Sequence, residues 1–127
     1  RESAAIQICK DLIDEGAKLF IHDPKVCPDQ ITKDLALTPN SLSQKEDFIN
    51  NNNAGNWDIA TDIESALLDA DAALILTEWL EYSRIDWEKT SKLMRKPAWV
   101  FDARSIIEPN EVINAGLNLW RVGDGVT

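Results

Sequence analysis

Between Asp71 and Glu78 the chain reads Ala72-Ala73-Leu74-Ile75-Leu76-Thr77, an apolar run of strand length without the alternation of a half-solvated strand. Such a run predicts a strand buried on both faces, the situation of a parallel sheet. Parallel neighbours cannot be joined by a tight turn, so each strand must be followed by a crossover, usually a helix. This requirement organises the rest of the sequence.

The flanks supply the crossovers. Ala5, Ile8, Cys9, Leu12 and Ile13 fall at helical spacing and predict a helix over 3–15, with Gly16 where a left-handed C-cap residue is wanted. Lys18 to His22 reads as a strand, ended by Pro24, which has no N–H for a ladder. Residues 25–56 are rich in Pro, Ser and Asn and predict a loop-rich excursion, with helical turns near Gln30–Leu35 and Lys45–Ile49. Trp57 to Ala60 returns as a short strand, and Asp62 can cap a helix ending at Leu68. After the run 72–77, Asp86 can cap a helix over 87–95, with Lys92 and Arg95 near the end that favours cations. Ala98 to Phe101, a helix from Glu111 preceded by Asn110, and a strand from Asn118 to Val122 complete the pattern.

The expected fold is one α/β domain over 1–127, a Rossmann-like three-layer αβα arrangement with a mainly parallel sheet and right-handed crossovers. In a doubly wound fold the first helix follows the central strand. This chain opens on a helix, so that strand is expected immediately upstream of Arg1, and the chain is read as a fragment of a larger protein. Without it, strand edges would be left open, and marginal stability or self-association is expected.

Thirteen Lys and Arg stand against twenty-two Asp and Glu, a formal charge of −9. That balance speaks against nucleic acid and anionic membrane as partners, since both bind by neutralisation of their phosphates. No apolar run approaches the roughly 20 residues of a membrane-spanning helix. Cys9 and Cys27, with one His in the chain, do not make the four ligands of a structural metal site, so no metal is expected. They read as reduced thiols of a cytoplasmic protein.

Open parallel sheets bind ligands beyond the carboxyl ends of their strands. Four segments qualify: His22-Asp23-Pro24, Thr77-Glu78-Trp79, Asp102-Ala103-Arg104 and Arg121-Val122-Gly123. Arg104 offers a planar fork suited to phosphate or sugar hydroxyls, and a surface pair with Asp102 or Glu108 is the equal alternative. Arg1 and Ser3 stand at the start of the first helix, where free N–H groups favour anions. Asp23 lies where a dinucleotide-binding unit places its ribose-binding acid, but the glycine-rich turn is absent, and an Asp before Pro is foremost a turn former. His22 has no nucleophile placed beside it by any motif, and the pairs Asp69/Asp71 and Glu78/Glu81 read as a helix end and a solvated loop. The five Trp read as core or interface residues. No complete catalytic set is present.

The opening Arg1-Glu2-Ser3, the strand end Ile21-His22-Asp23-Pro24, the stretch Asp71 to Trp79 and the closing Phe101-Asp102-Ala103-Arg104 occur in an order and spacing that resembles the C-terminal domain of the UDP-glucose/GDP-mannose dehydrogenase family. The resemblance covers nearly the whole chain, and the excursion at 25–56 looks like the UDP-glucose branch. It implies a degenerate Rossmann fold that closes over a nucleotide sugar, UDP-glucose, in an NAD-dependent enzyme oxidising a sugar C6 alcohol to a carboxylate in two steps. It also implies a parent that is at least a dimer. The family's nucleophilic Cys and NAD-binding glycine loop lie outside this chain, and neither Cys9 nor Cys27 matches the former, so no catalytic residue is assigned and the fragment alone is expected to be inactive. Arg104 matches the substrate-contacting Arg after the family's Phe-Asp-Gly element, and Arg1 matches the NAD-contacting Arg of its Arg-Glu-Ser element. Ala103 replaces the usual Gly, so the loop carrying Arg104 is expected to differ if that position needs a positive φ. Three rivals remain: a truncated dinucleotide-binding domain with Asp23 on a ribose, a non-catalytic binding module, and a sibling dehydrogenase for GDP-mannose or a UDP-N-acetyl amino sugar.

Overall fold

The computed structural model describes residues 4–42 and 55–123. They form two compact units, one ending at Asp62 and one starting at Ile63, each built on its own parallel sheet. Arg1 and Ser3, the turn proposed near Lys45–Ile49 and the Asn50–Asn53 run lie outside the described residues.

The first unit contains helix α1 (Ala4–Asp14), strand β1 (Lys18–Ile21), helix α2 (Pro28–Leu35) and strand β2 (Asn56–Ile59). Gly16 takes φ +97 at the end of α1, the left-handed conformation read from the sequence. β1 and β2 pair in parallel, Lys18 opposite Asn56 and Ile21 opposite Ile59. Gly55 enters this pair against the turn after α1. Its N–H donates to Ile13 O at 2.9 Å, and a Cβ there would stand 2.0 Å from Ala17 O. Trp57 is fully buried among Ile13, Ile31 and Leu35, and its indole N–H donates to Leu37 O at 2.8 Å. That bond and Ser41 N–H to Asp58 Oδ1 at 2.9 Å tie the excursion back to β2.

The second unit contains helix α3 (Ile63–Leu67), strand β3 (Ala72–Ile75), helix α4 (Trp87–Ser91), strand β4 (Trp99–Asp102), helix α5 (Pro109–Asn114) and strand β5 (Asn118–Arg121). A 3-10 helix at Leu80–Arg84 lies between β3 and α4, where the sequence pattern predicts no element. The sheet order is β3-β4-β5, all parallel, with Ile75 opposite Asp102 and Asp102 opposite Arg121. Asp86 caps α4 as expected, accepting the N–H of Lys89 at 3.1 Å. α4 is shorter than the predicted 87–95, because beyond Ser91 the backbone bonds to the turn after α3: Asp69 N–H donates to Leu93 O and Arg95 N–H to Ala70 O. α5 starts earlier than predicted, with Pro109 in its first turn, where a missing N–H costs nothing.

Ala73, Ile75 and Val100 face one side of this sheet and pack with Trp87, Met94 and Val112. Burial of the run 72–77 on both faces is not what is found: Leu74 is 38% exposed, and on its side of the sheet Trp99 stacks on Phe101, with Trp120 tilted against Phe101. The reason is topological. Successive right-handed crossovers stepping from β3 to β4 to β5 in one direction place both α4 and α5 on the same face. Trp57 and Trp87 are thus core residues, while Trp99 and Trp120 are not.

Candidate functional site

In the second unit the three strands run in parallel and end together. Thr77-Glu78-Trp79 follows β3, Ala103-Arg104-Ser105 follows β4 and Val122-Gly123 follows β5, so three of the four segments named from sequence share one sheet edge. His22 and Asp23 follow β1 in the first unit.

Two basic groups stand at this edge, Arg121 at the end of β5, beside the buried Asp102, and the more exposed Arg104. The Arg104 guanidinium Nη2 is paired with Glu78 Oε1, with both side chains about half exposed. The partner is therefore Glu78, not Asp102 or Glu108. The register explains it: Ile75 stands opposite Asp102, so residues just past the two strand ends meet across the edge. In the sequence Glu78 stands in a strand-end segment and reads as solvated, because its pairing depends on the register between strands, which spacing along the chain does not encode. An exposed ion pair contributes little to stability, so Arg104 can exchange this carboxylate for another anion at small cost.

The loop beneath Arg104 is held tightly. Asp102 is fully buried. Its Oδ1 accepts the backbone N–H of Arg104 at 3.0 Å, its Oδ2 accepts that of Ile107 at 2.8 Å, and Arg121 Nε stands 3.7 Å from Oδ2. Ser105 takes φ 59 and its Oγ donates to Val122 O at 2.7 Å. The left-handed residue of this turn is thus Ser105, and Ala103 carries no positive φ, so a Cβ at position 103 meets no backbone penalty. Beside Glu78, the indole N–H of Trp79 is buried and meets no acceptor among the described residues.

The other candidates separate. Asp23 Oδ1 accepts the N–H of Lys25 at 2.8 Å, an Asx turn, the turn-forming role read from an Asp before Pro. His22 is partly buried just past β1. Cys9 is partly buried, and burial pushes its thiol above the ordinary range, which disfavours the thiolate. A cleft of about 570 Å³ is lined by Arg84 together with Asp86, Glu88 and Glu111, and Arg104 does not line it. Among the described residues no cluster of three metal-ligating side chains occurs, and no helix is long and apolar enough to cross a membrane.

Residues 1–109 match the family model described as UDP-glucose/GDP-mannose dehydrogenase family, UDP binding domain. A UDP-glucose 6-dehydrogenase of Drosophila melanogaster is 36% identical over 123 residues, covering 97% of this chain and 25% of the relative. UDP-glucose 6-dehydrogenase 2 of rice, Oryza sativa subsp. japonica, is 32% identical over 129 residues, covering 97% of this chain and 26% of its own length. The chain thus spans about a quarter of these relatives. The crystal structure of an NDP-N-acetyl-D-galactosaminuronic acid dehydrogenase from Methanosarcina mazei superposes with a TM-score of 0.54 at 19% identity, over 94% of this chain and 28% of that one, a likeness of fold.

Proposed function

The chain belongs to the UDP-glucose/GDP-mannose dehydrogenase family, in the part that forms its UDP-binding domain, and from that premise we propose that it is the nucleotide-sugar-binding domain of an NAD-dependent UDP-glucose 6-dehydrogenase, converting UDP-glucose to UDP-glucuronate. The observation that carries the reading is Arg104, set on an anchored loop at the carboxyl edge of the sheet and paired with an exposed carboxylate that an anion could displace. A pyrophosphate carries two negative charges and the chain as a whole carries −9, so binding needs a local cation. A planar guanidinium meets a phosphate or a pair of sugar hydroxyls with two parallel donors. Identity to UDP-glucose 6-dehydrogenases over 97% of the chain supports UDP-glucose over the sibling substrates.

NAD is assigned to the parts of the enzyme outside this chain. No glycine-rich turn is present in the sequence, and the one strand-end acid at the expected spacing, Asp23, uses its Oδ1 within its own turn. Arg1 is proposed as a single contact from this domain to that cofactor. The chain's own work is to bind and orient the nucleotide sugar, in an enzyme we take to be cytoplasmic, to act on polysaccharide precursors and to assemble at least as a dimer.

The test is NADH formation by the full-length enzyme with UDP-glucose and GDP-mannose in parallel. Converting a primary alcohol to a carboxylate removes two hydrides, so two NADH per sugar are expected with UDP-glucose and none with GDP-mannose. Turnover of GDP-mannose alone, or of neither sugar, would contradict the assignment.

A further inference from the structure

Asp102 closes β4 with no exposed surface at all, opposite Ile75 and Arg121 and two residues from fully buried Val100. A carboxylate in such surroundings persists only when its oxygens are satisfied. A valine would fill an inner-face position of this sheet as well as Val100 does. What it could not do is accept hydrogen bonds, and both oxygens of Asp102 are used on one object, the turn between β4 and α5. Oδ1 takes the N–H of Arg104 and Oδ2 that of Ile107, so the carboxylate spans the turn from its second to its fifth residue. Arg121 lies beside it in β5 and offsets its charge. The opposite side of the turn is pinned by Ser105 Oγ on Val122 O.

We propose that Asp102 is a positioning residue for Arg104, fixing the backbone from which the guanidinium reaches the nucleotide sugar. This rests on the reading of Arg104 as a substrate contact. The guanidinium sits on a long flexible stem, so its reach is defined only if its Cα is. An Asp at the strand end defines it by gripping the Arg104 amide itself. The loop need not then be ordered by the ligand, and the cost of ordering is removed from binding.

The test is a double-mutant cycle in the full-length enzyme with KM for UDP-glucose, kcat and thermal midpoint as readouts. Asp102→Asn keeps the shape but replaces one accepting oxygen by an NH2 that cannot receive a backbone N–H. It should raise KM roughly five- to twentyfold with kcat changed less than about threefold. In an Arg104→Ala background the same change should leave KM where Arg104→Ala put it, because Asp102 acts through that side chain. A KM unchanged by Asp102→Asn, or effects that multiply in the double variant, would overturn the proposal. If Asp102→Asn does not fold, Ser105→Ala loosens the same turn from an exposed position. It should raise KM about two- to fivefold in the parent and not in the Arg104→Ala background. A folded Ser105→Ala enzyme with unchanged KM would then overturn the proposal. Arg104→Ala without effect on KM is a separate result, which removes the substrate-contact reading itself.

Discussion

Arg104→Ala in the full-length enzyme is expected to raise the KM for UDP-glucose by roughly 10- to 150-fold, the equivalent of one charge-assisted hydrogen-bonding group worth about 1.5–3 kcal/mol. The magnitude follows from what is lost and what is not. In the free protein Arg104 is about half exposed and paired with the exposed Glu78, so its removal is expected to leave the fold intact. In the complex the guanidinium would face an anion with water excluded, where the same charge counts for far more. Arg104→Lys should recover only part of the loss, since an ammonium keeps the charge but not the planar fork. Steady-state kinetics with a thermal melt in parallel checks both statements. An unchanged KM with normal stability would count against Arg104 as a substrate contact.

Trp57→Ala should destabilise the first unit by about 3–5 kcal/mol, a large fraction of the 5–15 kcal/mol typical of a whole domain. Trp57 is fully buried, and it does two jobs. Its ring fills the space between Ile13 of α1 and Ile31 and Leu35 of α2. Its N–H satisfies Leu37 O, which holds the chain after α2 against β2. Alanine would open a cavity and leave that carbonyl without its donor. Trp57→Phe, which keeps most of the volume and loses only the bond, should cost much less. Amide hydrogen exchange at residues 18–21 and 56–59 reports the loss directly, because those amides belong to the β1–β2 ladder. A loss below about 1 kcal/mol would mean that the cluster around Trp57 does not hold this unit together.

Much of this was legible in the residues themselves. Gly16 as a left-handed cap and Asp86 as an N-cap are local signals found where the sequence placed them, and the helices and strands occur in the predicted order, although two helices differ in their bounds. The carboxyl-edge segments were legible too, because a parallel sheet sends every strand end to the same side. What failed was whatever depends on a neighbour in space. The run 72–77 reads as doubly buried, yet Leu74 is exposed, because which face the crossovers cover is set by the order in which strands are added. Glu78 as the partner of Arg104 depends on the β3–β4 register, and no spacing along the chain encodes it. The burial of Asp102 was hidden for the opposite reason: an acid in a strand-end segment reads as a surface turn residue, and only its two backbone donors show otherwise. The conformational demand expected at Ala103 falls instead on Ser105, two residues on.

The most direct test of the account is a crystal structure of the full-length enzyme with UDP-glucose bound. The account predicts that Arg104 has left Glu78 and lies within hydrogen-bond distance of a phosphate or sugar oxygen, with Asp102 still holding the Arg104 and Ile107 amides. A nucleotide sugar bound elsewhere, with Arg104 still on Glu78, would contradict it.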